Sequence, residues 1–244
     1  MSEKDNKEVL LMYSGGLDSI LSCIRLINEG FKVYLIHFYN GSIIGEERVL
    51  IGAEILKERY KERVEYLGVV NVTASFRDYR YYAQIENLNA KELYEKHGNI
   101  SISQYRCLVC RMAMYTYSIS LARKMNIKYI AEGARKSQLF AIEQEELLNE
   151  FKNLCSLYGI ELLTPVYELV DDFAKENEIF RNGITPSPYD SKCLLGYPMD
   201  RELTKEEIED IKRLYLELQK HQIEDIDTKR IVLSKLPKDK ITWH

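Results

Sequence analysis

No run of apolar residues in this 244-residue chain approaches the roughly 20 that a membrane-spanning helix needs, so a membrane protein is not expected. The opening Met1-Ser2-Glu3-Lys4-Asp5 lacks the apolar stretch of an export signal, and a cytoplasmic location is the expectation. Positive charge is not in excess. The 34 Lys and Arg stand against 38 Asp and Glu, a net charge of −4, which excludes a wholly basic phosphate-backbone binder while allowing a local basic face. Cysteine is scarce and odd in number. Five thiols without an export signal argue against a disulfide framework and leave metal, redox or buried-thiol roles open. Internal repeats and low-complexity tracts are also missing. What remains, 45% hydrophobic and 30% charged, is the composition of a globular protein long enough for one large domain or two small ones.

Hydrophobic patterning alternates between strand and helix, the signature of a parallel sheet covered on both faces. Val9–Tyr13 reads as a buried strand. Ile20, Leu21, Ile24 and Ile27 recur at helical spacing, with Gly30 as the stop. Strands are expected over Phe31–Phe38, Val64–Val72, Lys128–Ala131 and Glu161–Pro165, and helices over Glu46–Tyr60, Ala90–His97, Cys107–Met125 and Glu143–Tyr158. Pro186, Pro188, Gly183 and Gly196 mark Thr185–Pro198 as irregular, which places an expected boundary between residues 1–184 and a small helical C-terminal part, 185–244. Thr204-Lys205-Glu206-Glu207 has the form of a capping box before Ile208, Ile211, Leu214, Tyr215 and Leu218.

Ser14-Gly15-Gly16-Leu17-Asp18-Ser19 falls between the first strand and the first helix, where backbone amides and the helix dipole converge on an anion. The two glycines permit close approach, and Ser14 and Ser19 offer hydroxyls to phosphate oxygens. Asp18 would repel bare phosphate, so it is expected to recruit Mg2+ bridging carboxylate and pyrophosphate.

The motif S-G-G-x-D-S resembles the signature of the PP-loop ATP pyrophosphatases, and it lacks the lysine of a Walker loop. The resemblance implies a doubly wound parallel α/β fold. It also implies ATP binding at the loop, attack of a substrate oxygen on the α-phosphorus, and release of pyrophosphate from an adenylated substrate. It places adenine near His37-Phe38-Tyr39-Asn40-Gly41, although His37 by itself reads as a packed strand residue. Gly133, Arg135 and Lys136, beyond the carboxyl end of a later strand, also belong near the site. Arg135 and Lys136 are candidates to stabilise phosphate charge, or simply a surface loop. Many thiolating relatives have Gly-His and paired aspartates there, and this chain does not.

Cys107-Leu108-Val109-Cys110 is expected at a helix N-terminus, where the dipole would favour thiolates. Cys193 lies far downstream. This spacing resembles the iron-sulfur subgroup of tRNA 2-thiolation enzymes, which implies that Cys107, Cys110 and Cys193 hold a 4Fe-4S cluster with one open iron. A persulfide relay, zinc, or structural thiols are the alternatives, while Cys23 and Cys155 read as core. Arg77-Asp78-Tyr79-Arg80-Tyr81-Tyr82, extended by Tyr105-Arg106, could stack on bases, but no RNA-binding module such as a zinc ribbon or THUMP domain is visible.

The expected activity is therefore an ATP-dependent sulfur transfer to an adenylated nucleobase carbonyl, in tRNA or a small molecule. The partners would be a sulfur donor and, by analogy, a second copy of the chain. Three other readings stay open: a nitrile-forming synthase using ammonia, whose relatives carry four clustered cysteines that this chain lacks, a non-catalytic nucleotide sensor, and an electron-transfer protein.

Overall fold

The computed structural model describes residues 7–85, 92, 100–187, 189–228 and 233–234. Its frame is a sheet in the order β6-β5-β1-β2-β4-β8, in which the first five are mutually parallel and β8 (Leu233–Ser234) joins antiparallel. In chain order these are β1 (Glu8–Met12), β2 (Lys32–Tyr39), β4 (Val64–Asn71), β5 (Tyr129–Glu132) and β6 (Glu161–Leu163). The short β3 (Ile43–Ile44) pairs instead with β7 (Lys192–Cys193) as a separate antiparallel ribbon. The doubly wound parallel α/β expectation holds, with boundaries displaced by one or two residues in most strands.

β1 is the hub because Val9, Leu10 and Leu11 are apolar in succession and fully buried, as a strand covered on both faces requires. The chain leaves β1 toward β2 on one side and later returns as β5 on the other. That reversal opens a crevice at the carboxyl end of β1, the usual ligand position in such sheets.

Helix α1 (Leu17–Asn28) buries Ile20, Leu21, Cys23 and Ile24 and stops where Gly30 takes φ +95° and Phe31 N–H donates to the Leu26 carbonyl. α2 (Glu46–Tyr60) runs over the residues read from the sequence, whereas α3 (Thr73–Tyr82) was read only as a basic aromatic stretch. Tyr79 in α3 is a core residue bonded to Thr116 (3.0 Å) and Asp225 (2.8 Å), and Tyr105 is likewise buried beside Asp210. Tyr81 is exposed, and Tyr82 stacks on His221 at 4.3 Å.

The long α4 (Ile102–Met125) is buried on most of its circumference, which is why it shows little amphipathic periodicity. Its start lies five residues before the expected Cys107, because Ser101 caps it by accepting the Ser103 N–H. α5 (Glu145–Leu157) buries Phe151, Leu154 and Cys155, and α6 (Asp172–Arg181) packs on α1 through a bidentate Arg25–Glu178 pair at 2.9 and 2.6 Å. The expected capping box opens α7 (Lys205–Thr228). Glu207 N–H donates to Thr204 Oγ1 (3.3 Å), and Thr204 N–H donates to the Glu207 carboxylate (2.8 Å). The helix expected over 90–97 falls outside the described residues, apart from Glu92. Among the described residues no helix is long and apolar enough to cross a membrane.

Candidate active site

The glycine turn occupies the crevice at the end of β1. Gly15 adopts φ +82°, which favours glycine, and a Cβ there would lie 2.4 Å from the Tyr189 carbonyl oxygen. Ser14 Oγ accepts the Gly16 N–H at 3.2 Å and donates to Ser19 Oγ at 3.3 Å, and Ser19 Oγ donates to the Gly16 carbonyl at 2.9 Å. Opposite, Gly133 allows β5 to end against α1, since a Cβ would come within 3.0 Å of the Asp18 carbonyl carbon and Ser19 nitrogen.

A cavity of about 420 Å³, in the size range of small-molecule sites, opens here. Ser14, Gly16, Asp18, Ser19, His37, Phe38 and Gly133 line it, whereas Gly15 and Leu17 do not. His37 is buried, and its Nδ1–H donates to the Tyr13 carbonyl at 3.0 Å, so Nε2 is the bare acceptor and has no partner. Burial holds this imidazole below its ordinary pKa, in the neutral form.

Asp18 is held by three side chains. Lys175 Nζ (2.9 Å) and Arg135 Nε (3.1 Å) contact Oδ1, and Gln138 Nε2 donates to Oδ2 at 2.9 Å. Asp172 takes Lys175 (2.9 Å) and Arg135 (2.7 Å) from the other side, and these cations hold its carboxyl below the ordinary range. Lys136, by contrast, is exposed and does not line the cavity. The chain turns there through its backbone N–H, which donates to the Tyr167 carbonyl at 3.0 Å. The cations on Asp18 are thus Arg135 and Lys175, a buried lysine on a helix that sequence patterning did not find, where Arg135 and Lys136 were expected.

Cys107, Cys110 and Cys193 converge on a second cavity of about 220 Å³ lined also by Ile43, Phe76, Met114, Phe140 and Leu195. Cys23 and Cys155 are buried elsewhere, as expected. The thiols sit in the second and third turns of α4, away from the dipole's positive end. Burial, the main cause, pushes Cys110 up to about 11 and Cys107 higher still, which reverses the expected thiolate preference. Gly196 makes room, because a Cβ there would lie 2.9 Å from Cys107 Sγ and 3.7 Å from Cys193 Sγ. Among the described residues no group of three His, Cys, Asp or Glu is arranged to hold a metal ion.

The segment after residue 188 closes the site rather than leaving it. Tyr189 N–H donates to the Gly15 carbonyl (3.0 Å), Leu194 N–H to the Ser42 carbonyl (2.9 Å), and Met199 N–H to the Leu139 carbonyl (2.8 Å). Cys193 is thereby seated in β7 against Ile43. Asn40, Cys110, Arg111, Glu143 and Cys193 line both cavities, so the two adjoin. Arg111 is ion-paired to buried Glu132, which also accepts from Tyr115 (2.7 Å), and lies 3.9 Å from Glu143. Burial pushes Glu143 up to about 8, and its Oε2 has no partner.

With this geometry stands a match to the family model described as "Thiamine biosynthesis protein (ThiI)" over residues 5–142, more than half of the chain. The chain belongs to the ThiI family. That places it in the PP-loop superfamily that the glycine turn resembles. A curated relative, "Probable tRNA sulfurtransferase" of Thermococcus kodakarensis, is 22% identical over 132 residues, which is 54% of this chain and 30% of the relative. A solved 4-thiouridine synthetase, in complex with RNA and bound ATP, superposes over 93% of this chain and 55% of its own at 16% identity with a TM-score of 0.58, so the fold is shared. A predicted subunit of a tRNA methyltransferase from Methanocaldococcus jannaschii aligns over 81% of this chain with a TM-score of 0.45, too loose a likeness to bear on function. The ThiI-family chain spans about a third of the curated relative and about half of the solved one.

Proposed function

We propose that this chain is the ATP-using sulfurtransferase part of a tRNA-thiolating enzyme, adenylating a nucleobase carbonyl and replacing its oxygen with sulfur. The observation that carries this reading is the adjoining of the glycine-turn cavity and the three-thiol cavity through Asn40, Cys110, Arg111, Glu143 and Cys193. The names of its relatives, a tRNA sulfurtransferase and an ATP-bound 4-thiouridine synthetase on RNA, support the choice of substrate.

In the first step the base oxygen attacks the α-phosphorus, the α–β bond breaks, and pyrophosphate leaves with both electrons of that bond. The opening of α1 at residues 16–19 lies toward the departing phosphates, with Ser14 and Ser19 as hydroxyl donors. Arg135 and Lys175, which neutralise Asp18 in this structure, are placed to offset phosphate charge, and Asp18 would hold a Mg2+ ion, which would supply further positive charge to the leaving pyrophosphate. His37 and Phe38, at the end of β2, flank the adenine. In the second step a sulfur nucleophile from the thiol side attacks the adenylated carbon, and AMP leaves with the former carbonyl oxygen.

The three thiols fit a 4Fe-4S cluster in donor chemistry. They are all cysteines, and they line one cavity of about 220 Å³ among mostly apolar neighbours, with Cys193 exposed. Such a cluster, held by Cys107, Cys110 and Cys193, would supply an open iron as the sulfur carrier. Anaerobic protein given ATP, inorganic sulfide and unmodified tRNA is expected to release pyrophosphate and AMP and to yield a thiolated nucleoside by mass spectrometry, with about four irons per chain. Release of ADP in place of AMP would overturn the adenylation. Full activity without iron would move the sulfur onto a cysteine persulfide.

A further inference from the structure

Asn40 follows the last residue of β2, in the segment the family resemblance associates with adenine, yet its side chain turns toward sulfur. It is 3% exposed, and its Nδ2 lies 3.2 Å from Cys110 Sγ and 3.9 Å from Cys193 Sγ. The orientation of the amide is settled by its other end, where Oδ1 accepts the Ser42 N–H at 2.9 Å. An N–H requires an acceptor, so the oxygen faces Ser42 and the NH2 faces the thiols. Two N–H groups thus stand against two sulfurs. Cys107, which shares the thiol cavity but not the nucleotide cavity, receives neither.

The turn that fixes the amide also fixes one of its targets. Ser42 accepts the Leu194 N–H at 2.9 Å, and the adjacent Ile43 pairs with Cys193 across the β3–β7 ribbon. One side chain therefore links the end of β2, the interior of α4 and the strand carrying Cys193.

We propose that Asn40 is a positioning residue for the sulfur chemistry: its amide donates to Cys110 and Cys193 and holds these two sulfurs, not Cys107, at the junction of the two cavities. The proposal rests on the sulfur-transfer reading for its purpose, and its test does not. Hydrogen bonds to a sulfur anion favour the anionic, reactive or ligating form and orient its lone pairs.

Asn40→Asp separates the two jobs of the side chain, since the carboxylate still accepts the Ser42 N–H while both N–H donors vanish and a like charge takes their place. Asn40→Ser is the uncharged counterpart, with a hydroxyl that can close the same turn but is too short to reach the sulfurs. The measurement is the rate of iodoacetamide labelling at each cysteine of the reduced, metal-free 244-residue chain at one fixed pH, read by peptide mass spectrometry. Losing the N–H donors leaves the Cys110 sulfur without the bond that orients it, so about threefold slower labelling is expected at Cys110 and a smaller slowing at the more distant Cys193. Cys107 should label at the wild-type rate in both variants. Unchanged rates at Cys110 in both variants would overturn the proposal. So would equal slowing at all three cysteines, which would mark a general distortion, or a loss of ATP affinity with labelling unchanged, which would return Asn40 to the nucleotide. Absence of sulfur transfer in the wild type would sink the proposed function while leaving the labelling result standing.

Discussion

The two cavities that meet at Asn40 are built in opposite ways. The nucleotide side is the more polar of the two, and its core is one contiguous loop whose residues each have a local reason for their place: glycine for a positive φ, serines that hydrogen-bond within the turn, aspartate at the start of a helix. The thiol side is mostly apolar, and its three sulfurs come from the second and third turns of a helix and from a ribbon some eighty residues later. A contiguous site can act as soon as its strand and helix form. An assembled one depends on the segment from 189 to 199 folding back across the first.

That contrast predicts which substitutions separate the two steps. Asp18→Asn should lower pyrophosphate release on the order of 10²–10³-fold and abolish thiolation with it, whereas Cys193→Ser should abolish thiolated product while adenylation continues. Parallel assays of pyrophosphate and thionucleoside decide this, and loss of both in Cys193→Ser would erase the division of labour. Gly15→Ala should strike both cavities at once. The methyl meets the Tyr189 carbonyl at 2.4 Å in a strained backbone region, so it should cost roughly 1–3 kcal/mol in chemical denaturation and loosen the strand holding Cys193.

Glu143 sits where the two cavities meet, and its raised pKa gives the pH test. A carboxyl that binds its proton more tightly folded than unfolded adds stability at low pH that is lost as pH rises from the ordinary 4.5 to about 8. Glu143→Gln should flatten that decline in thermal melts taken across this window. An unchanged decline would mean that another group causes it. The smallest effect belongs far from both cavities. Thr204→Ala removes one half of the capping box on α7 and should cost about 1 kcal/mol with both chemical steps intact.

The same contrast explains what was legible in the sequence. The strands of the sheet and the glycine turn could be read because they rest on local patterning: apolar runs at β1 and β2, helical spacing at Ile20, Leu21 and Ile24, a glycine stop at residue 30. The gathering of Cys107, Cys110 and Cys193 came from a family resemblance rather than from spacing, since no local rule brings residue 193 to residue 110. α4 was started too late because Ser101, a capping residue six positions upstream of Cys107, went unread, and the expectation of dipole-activated thiols failed with it. Lys175 was missed because α6 exposes Phe173 and Phe180 and carries charge on several sides, so no clean apolar stripe announced it. The signal available was Asp171, which caps α6 by accepting the Phe173 N–H. Asn40 could not be found at all without coordinates, because an asparagine at a strand end reads as a turn former until its amide is seen against sulfur.

The most direct test of a single joined site is nucleotide protection. With ATP and Mg2+ at saturation, confirmed by calorimetry on the same sample, iodoacetamide labelling of Cys110 and Cys193 should slow several-fold while Cys107 is little affected. Equal labelling of Cys110 and Cys193 with and without bound nucleotide would contradict it, and would mean that the two cavities do not work as one.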